Sequence, residues 1–108
     1  PGELIDLNGL TQVLWPDHCV QRTKGADFVK NLDLSNLHKV FTKGTDPGID
    51  SYSGFFDNGH RKSTGLHDYL QEKGVKEVYV VGLATDYWVK FTALDAAQLG
   101  HQTFVIQD

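Results

Sequence analysis

The sequence lacks several features that would fix its class at once. It has no methionine and one cysteine, Cys19, so an internal disulfide framework is excluded. No apolar stretch approaches the roughly 18 residues that indicate a membrane span, and no secretory leader pattern opens the chain. These absences predict a reduced, cytoplasmic protein with no membrane partner.

Clustered positive charge is also missing. Ten Lys and Arg are scattered among fourteen Asp and Glu, and the net charge is −4. Nucleic-acid binding requires a basic surface that neutralises phosphates, so we predict no nucleic-acid partner. Hydrophobic residues at 40% and charged residues at 22% are ordinary for a folded domain, which excludes a disordered chain.

Both ends of the chain predict a piece of a larger fold. The sequence opens on Pro1 and stops at Asp108, directly after an apolar run that is typical of a strand. We therefore expect residues 1–108 to form a single, incomplete domain with one core.

Alternating buried runs and helical periods predict an α/β fold. Val78–Val81 and Thr103–Ile106 are typical of strands buried on both faces of a parallel sheet. A helix over Asp86–Leu99 would join them in a right-handed strand–helix–strand unit. The periodicity also predicts a helix over Gly65–Lys73, and we expect a short strand near Val40–Lys43.

Polar residues and glycines mark the expected element ends. Thr64 and Asp86 suit helix N-caps, and Gly74 and Gly100 suit the left-handed position that follows a helix. Residues 1–25 contain glycines and an asparagine without a sustained period, so we predict mostly loop there.

Three segments occur in an order and spacing that resemble the signatures of one family. They read Trp-Pro-Asp-His-Cys-Val at 15–20, Lys-Gly at 43–44 followed by Asp-Ser-Tyr-Ser-Gly-Phe at 50–55, and Gly-Leu-Ala-Thr-Asp-Tyr at 82–87. They are similar to segments of the nicotinamidase/pyrazinamidase family within the isochorismatase-like hydrolases. The resemblance implies a doubly wound parallel sheet in three αβα layers, with its N-terminal portion absent. It also implies hydrolysis of nicotinamide, or a related amide, to the acid and ammonia in NAD salvage, and it leaves a homo-oligomer open.

The resemblance implies an Asp-Lys-Cys triad, of which this chain carries Lys43. An ammonium beside a thiol lowers the thiol pKa and holds the reactive thiolate. The resemblance also implies a cis peptide bond between Leu83 and Ala84, with the amides of Ala84 and residue 88 forming an oxyanion hole. The nucleophile position holds Trp88, whose indole offers no thiolate. The triad aspartate would lie before Pro1.

Substrate and metal ligands follow from the same resemblance. Trp15, Tyr52 and Tyr87 resemble aromatic residues that line the pyridine pocket. His18 resembles one ligand of a divalent metal, which is zinc, iron or manganese. Because such a site needs about three protein ligands, we expect no metal on this chain alone and a surface or hydrogen-bonded His18. We expect Cys19 to be a packed thiol and not a nucleophile.

Two functional interpretations stay open. The first is a nicotinamidase-like amidohydrolase that is inactive in this chain because of Trp88. The second is a catalytically inactive relative that serves as a binding or assembly scaffold. A nucleotide-binding module is disfavoured, since Gly82-Leu83-Ala84 lacks the glycine spacing and the lysine of a phosphate cradle. If the chain has the fold of this family, we expect six residues to line one cleft: Trp15, His18, Lys43, Tyr52, Ala84 and Trp88.

Overall fold

The computed structural model describes residues 2–107 and contains two compact units. The first unit ends at Val40 and the second begins at Phe41. Within the described residues, no helix has the length and apolar character needed to cross a membrane. A single incomplete domain over residues 1–108 stays a prediction.

A β-hairpin opens the first unit. Strand β1 (Leu4–Leu7) pairs antiparallel with strand β2 (Leu10–Val13). Asn8 and Gly9 join them with φ angles of 53° and 85°, the two left-handed positions of a type I′ turn. The prediction of mostly loop across residues 1–25 is wrong for this stretch, because the Asn-Gly turn joins two β-prone runs.

Turns dominate the remainder of the first unit. Its one further described element is a short 3₁₀ helix, Lys24–Ala26. Apolar side chains beyond it, such as Phe28, Val29 and Leu32, are more than half exposed. This stretch therefore adds little to a core.

The second unit contains a two-stranded parallel sheet. Strand β3 (Glu77–Val80) pairs with strand β4 (Gln102–Val105). The predicted parallel pair at 78–81 and 103–106 is confirmed, with each strand starting one residue earlier. The chain therefore has the α/β character that the sequence predicted.

The predicted strand near Val40–Lys43 is wrong, since no strand is found there among the described residues. A segment becomes a strand only when a neighbouring strand bonds its backbone groups, and that pairing depends on distant residues. Phe41 instead packs its ring edge-on against Tyr69, with 5.4 Å between ring centroids.

Two α-helices cover the predicted helical segments. Helix α1 spans Leu66–Glu72, and helix α2 spans Lys90–Gln98. A π-helical turn over Thr85–Val89 leads directly into α2. Both helix predictions, 65–73 and 86–99, are therefore confirmed in place, and the second begins in a wider turn.

Both α-helices end as their glycines predict. Gly74 and Gly100 have φ angles of 68° and 95°, which side chains other than glycine rarely adopt. The next N–H bonds back to the carbonyl five residues earlier, at 2.9 Å for Val75 and 3.0 Å for His101. This is the Schellman arrangement, which satisfies carbonyls that the helix leaves open.

The helix starts differ from the predicted caps. Gly65, with φ of 90°, precedes α1, while the Thr64 hydroxyl accepts the Leu66 N–H at 3.3 Å. Ala84 precedes the π-helical turn, so Asp86 lies inside the first turn and is not its N-cap. A carboxylate in the first turn is still stabilised by the positive end of the helix dipole.

Candidate functional site

The segment of residues 50–64, which we call the Tyr52 loop, is shaped by its own side chains. The Asn58 carbonyl oxygen accepts the Tyr52 N–H at 3.0 Å. The buried Asp57 carboxylate accepts the N–H groups of Arg61 and Lys62 at 2.8 and 3.0 Å. Asn and Asp side chains stabilise such turns by replacing backbone acceptors. The loop therefore has a defined shape, and the Asn58 side chain fixes the position of the Tyr52 backbone.

Helix α2 anchors the Tyr52 loop. The Gly54 N–H donates to the Thr92 hydroxyl at 2.9 Å, and the Thr64 hydroxyl donates to the Gly54 carbonyl at 2.7 Å. Nε2 of His60 lies 3.5 Å from the carboxylate of Asp95, which is buried. Two side chains of one helix thus fix the loop relative to the residues that precede that helix.

Four rings meet between the Tyr52 loop and the start of α2. The buried Tyr52 ring lies 5.5 Å from Tyr87, 5.8 Å from Trp88 and 5.5 Å from Phe91, between centroids. The first two contacts are edge-on, which is a favoured geometry for aromatic pairs. We call these four residues the aromatic cluster. It brings together three of the residues that the sequence singled out.

Lys43 reaches this cluster. Its Nζ donates to the Ser51 carbonyl at 2.8 Å and lies 5.6 Å from the centroid of the Trp88 ring. A cation at this distance is attracted by the negative face of an indole. The side chain at position 88 is therefore a neighbour of the Lys43 ammonium.

Ala84 lies where the sheet leads into the π-helical turn. Its carbonyl accepts the N–H groups of Tyr87 and Val89 at 3.3 and 3.1 Å. The cis peptide bond expected between Leu83 and Ala84 is present. The turn places Ala84 four residues before Trp88, at the end of β3 where reactive groups gather in parallel sheets.

A small polar cleft of about 100 Å³ lies beside Lys43. Lys62, on its wall, donates to the Asp46 carboxylate at 2.8 Å. This hydrogen bond holds the pKa of Asp46 below its usual range and raises the pKa of Lys62. Both groups stay charged near neutral pH, so the Lys62 ammonium in the cleft is already paired with the Asp46 carboxylate.

Trp15 and His18 belong to the first unit. Nδ1 of His18 lies 2.6 Å from the Pro16 carbonyl, and the side chain is exposed, as predicted for a hydrogen-bonded surface histidine. Trp15 is half-buried. The convergence of these two residues with Lys43 and Trp88 stays a prediction.

Cys19 is exposed, so the expectation of a packed thiol is wrong. Its φ of 49° and the φ of 66° at Arg22 place it in a tight surface turn. The sequence shows the residue types there but not the direction of the turn.

The described residues do not fit the metal that the resemblance implies. Among them, no group of three His, Cys, Asp or Glu side chains could hold an ion. His18, whose Nδ1 lies 2.6 Å from the Pro16 carbonyl, is the one implied ligand among them. One ligand does not make a site.

Sequence reasoning missed three residues of the site. Phe91 and Thr92 follow Trp88 by three and four positions, and helical spacing alone would have placed them on the same face. Ser51 contributes only its backbone carbonyl, for which no side-chain signal exists.

The comparisons with known proteins agree on one family. Residues 8–108 match the isochorismatase domain family. The chain is 52% identical to the nicotinamidase of Escherichia coli over 108 residues, which are 100% of this chain and 49% of that protein. The chain thus spans about half the length of the curated relatives it matches.

Solved structures give the same picture. The Acinetobacter baumanii nicotinamidase/pyrazinamidase aligns with a TM-score of 0.93 at 47% identity, covering 98% of this chain and 51% of that chain. The yeast nicotinamidase bound to the inhibitor nicotinaldehyde aligns with a TM-score of 0.82 at 36% identity, over 89% and 46% of the two chains. The Pyrococcus horikoshii pyrazinamidase in complex with zinc aligns at 0.74 and 41%, over 86% and 48%. The fold of these relatives is the isochorismatase-like α/β fold.

Proposed function

The chain belongs to the isochorismatase domain family, and from that membership we propose that the whole protein is a nicotinamidase-like amidohydrolase. The proposed reaction converts nicotinamide and water to nicotinate and ammonia in NAD salvage. We further propose that this chain is inactive, because Trp88 stands where the nucleophile belongs. The 52% identity to a nicotinamidase supports the reaction, and the observation that carries the inactivity is the 5.6 Å between Lys43 Nζ and the centroid of the Trp88 ring.

Thiolate chemistry explains why that contact matters. In the proposed mechanism a thiol at position 88 gives its proton to the carboxylate of the triad, and the resulting thiolate attacks the amide carbonyl. The amide nitrogen takes that proton and leaves as ammonia, and water hydrolyses the thioester to the acid and the free thiol. Lys43 would stabilise the thiolate, and the amides of Ala84 and residue 88 would donate to the oxyanion. Trp88 removes this route, since indole has no accessible nucleophilic lone pair.

The relatives support the substrate class. One of them binds the inhibitor nicotinaldehyde, which shares the pyridine ring of nicotinamide. In the proposed pocket Trp15, Tyr52 and Tyr87 would contact that ring, with edge-on or stacked geometry. The Tyr52–Tyr87 pair, at 5.5 Å and 77°, supports an aromatic wall on the side of Trp88.

A divalent metal is part of the proposal for the complete fold. The zinc-bound relative supports it, with His18 as one ligand and zinc, iron or manganese as the ion. When bound, such an ion acts as a Lewis acid or orients the ring. The described residues leave that ligand set incomplete, and no step above depends on the ion.

A second function is favoured by the packing of Trp88. Its indole makes ring contacts with Tyr52 and Tyr87 and lies beside the Lys43 ammonium. In this proposal the indole fills the space that a substrate would occupy. A catalytically inactive relative used as a binding or assembly scaffold would carry this arrangement. Both proposals include a cytoplasmic location and a small-molecule partner, with no nucleic-acid or membrane partner, and both leave a homo-oligomer open. The net charge of −4 argues against binding to nucleic-acid phosphates.

Ammonia release from nicotinamide tests the proposal. Four proteins are compared: this chain and its Trp88→Cys variant, each alone and each joined to the half of the Escherichia coli relative that the chain does not match. We expect turnover only from the joined Trp88→Cys protein. The others should fall short by a factor on the order of a million, the usual cost of a missing nucleophile. Trp88→Ala in the joined protein is the control that removes bulk without adding a thiol.

The outcomes separate the two functions. Turnover by the unsubstituted chain would contradict the proposed mechanism. A joined Trp88→Cys protein that folds and binds nicotinamide but releases no ammonia would favour the scaffold.

A further inference from the structure

One peptide group lies between Asn58 and Lys43. It joins Ser51 to Tyr52, so its carbonyl belongs to Ser51 and its N–H belongs to Tyr52. The Lys43 ammonium donates to the carbonyl at 2.8 Å, and the side-chain oxygen of Asn58 accepts the N–H at 3.0 Å. The two hydrogen bonds therefore form a continuous chain from the Asn58 side chain to the Lys43 ammonium.

The planar geometry of the peptide couples these two hydrogen bonds. This peptide is trans, so its C=O and N–H groups point in opposite directions. An acceptor that fixes the direction of the Tyr52 N–H therefore also fixes the direction of the Ser51 carbonyl. Hydrogen bonds in such a chain polarise one another, which makes the carbonyl a stronger acceptor. The Asn58 side chain thus aims and strengthens the carbonyl to which Lys43 donates.

Residue 58 is itself held against the same segment of the Tyr52 loop. Its backbone N–H donates to the Asp50 carbonyl at 2.9 Å, so residue 58 bonds to the chain on both sides of Ser51. Ser51 is 4% exposed, and its hydroxyl donates to the Ser53 carbonyl at 3.3 Å. These contacts fix the position of the segment, and the Asn58 side chain opposes rotation of the one peptide plane that Lys43 contacts.

We propose that Asn58 is a positioning residue for Lys43, acting through the peptide group between Ser51 and Tyr52. With its carbonyl aimed at Lys43, this peptide keeps the ammonium beside residue 88, whose ring centroid lies 5.6 Å from Nζ. The role rests on the proposed function, because it serves catalysis only if Lys43 stabilises a thiolate at position 88.

The pKa of a thiol at position 88 tests the proposal in a double-mutant cycle. The parent is Trp88→Cys in a Cys19→Ser background, and the thiol pKa is read from the rate of alkylation against pH. Lys43→Met and Asn58→Leu are added singly and together. Leucine keeps the approximate size of asparagine and removes the acceptor. We expect Asn58→Leu to raise the thiol pKa when Lys43 is present and to add no further rise in Lys43→Met. Gly100→Ala, after the end of α2, is the control for a general loss of stability and should leave the thiol pKa unchanged.

Proton exchange of the Lys43 ammonium, measured by ¹⁵N NMR, is a second readout that needs no thiol. In the chain that keeps Trp88, Asn58→Leu should speed this exchange roughly fivefold, the factor expected for the loss of one typical hydrogen bond. An equal rise of the thiol pKa with and without Lys43, no rise with Lys43 present, or an unchanged exchange rate would overturn the proposal. If Lys43→Met itself leaves the thiol pKa unchanged, the proposed function loses its thiolate partner, and the exchange rate alone decides the role of Asn58.

Discussion

Thr92→Val should remove one of the two side-chain contacts that hold the Tyr52 loop on α2, while leaving the shape of the side chain almost unchanged. The Thr92 hydroxyl accepts the Gly54 N–H at 2.9 Å in a partly buried position. Its methyl lies 3.6 Å from the place where a Cβ on Gly54 would stand, so the side chain packs closely on the loop backbone. Valine keeps that methyl and puts another in the place of the acceptor.

The expected cost follows from the donor that loses its partner. A buried N–H without an acceptor costs about 1–3 kcal/mol, and partial burial puts Gly54 in the lower half of that range. Thr92→Ser keeps the hydroxyl and loses one methyl, which costs about 0.8 kcal/mol. The valine variant should therefore be the less stable of the two, by up to about 1 kcal/mol.

Urea unfolding of the two variants measures this difference, provided the slope of the transition is the same in each. Fluorescence in a Trp15→Phe background reports only Trp88, which contacts the loop through Tyr52. Thr92→Val should change that emission and Thr92→Ser should leave it near the parent spectrum. A valine variant as stable as the parent, or a serine variant that loses more, would refute the anchoring role.

Three further predictions concern a helix end, a surface pair and the core. Gly100→Ala should cost about 1 kcal/mol or more in thermal unfolding, because its φ is 95°, whereas Gly25→Ala, where φ is not positive, should cost less. The Asp46–Lys62 pair lowers the Asp46 pKa, so its contribution is present above the ordinary carboxyl pKa and is lost as pH falls through the lowered value. The stability gap to Lys62→Met should therefore shrink below about pH 4 and in high salt. Phe55→Ala should cost about 3–5 kcal/mol, and Phe55→Leu less, because Phe55 is 1% exposed.

The predictable part of the fold consists of elements with local signals. The β-prone run at 78–81 and the glycines at 74 and 100 marked a strand and two helix ends that the structure contains. The prediction of a strand at 40–43 was wrong because strand pairing depends on residues far away in sequence. The Asn8–Gly9 hairpin had a local signal, and weighing its two β-prone flanks would have found it.

The candidate site likewise has parts that the sequence predicted and parts that it did not. The family resemblance implied that Lys43 and position 88 are neighbours, and Lys43 Nζ lies 5.6 Å from the centroid of the Trp88 ring. The Ser51 carbonyl that receives Lys43 has no residue-type signal, because it is a backbone group aimed by the shape of the loop. The π-helical turn before α2 changed the role of Asp86, which residue type alone had marked as a cap.

The pairing of Lys43 with the nucleophile position is tested most directly by the reactivity of a thiol placed there. The rate of alkylation by iodoacetamide is followed against pH for Trp88→Cys in a Cys19→Ser background, with and without Lys43→Met. The account predicts a thiol pKa below the ordinary value of about 8.5 when Lys43 is present, and a return toward that value in Lys43→Met. The same pKa in both proteins would contradict it.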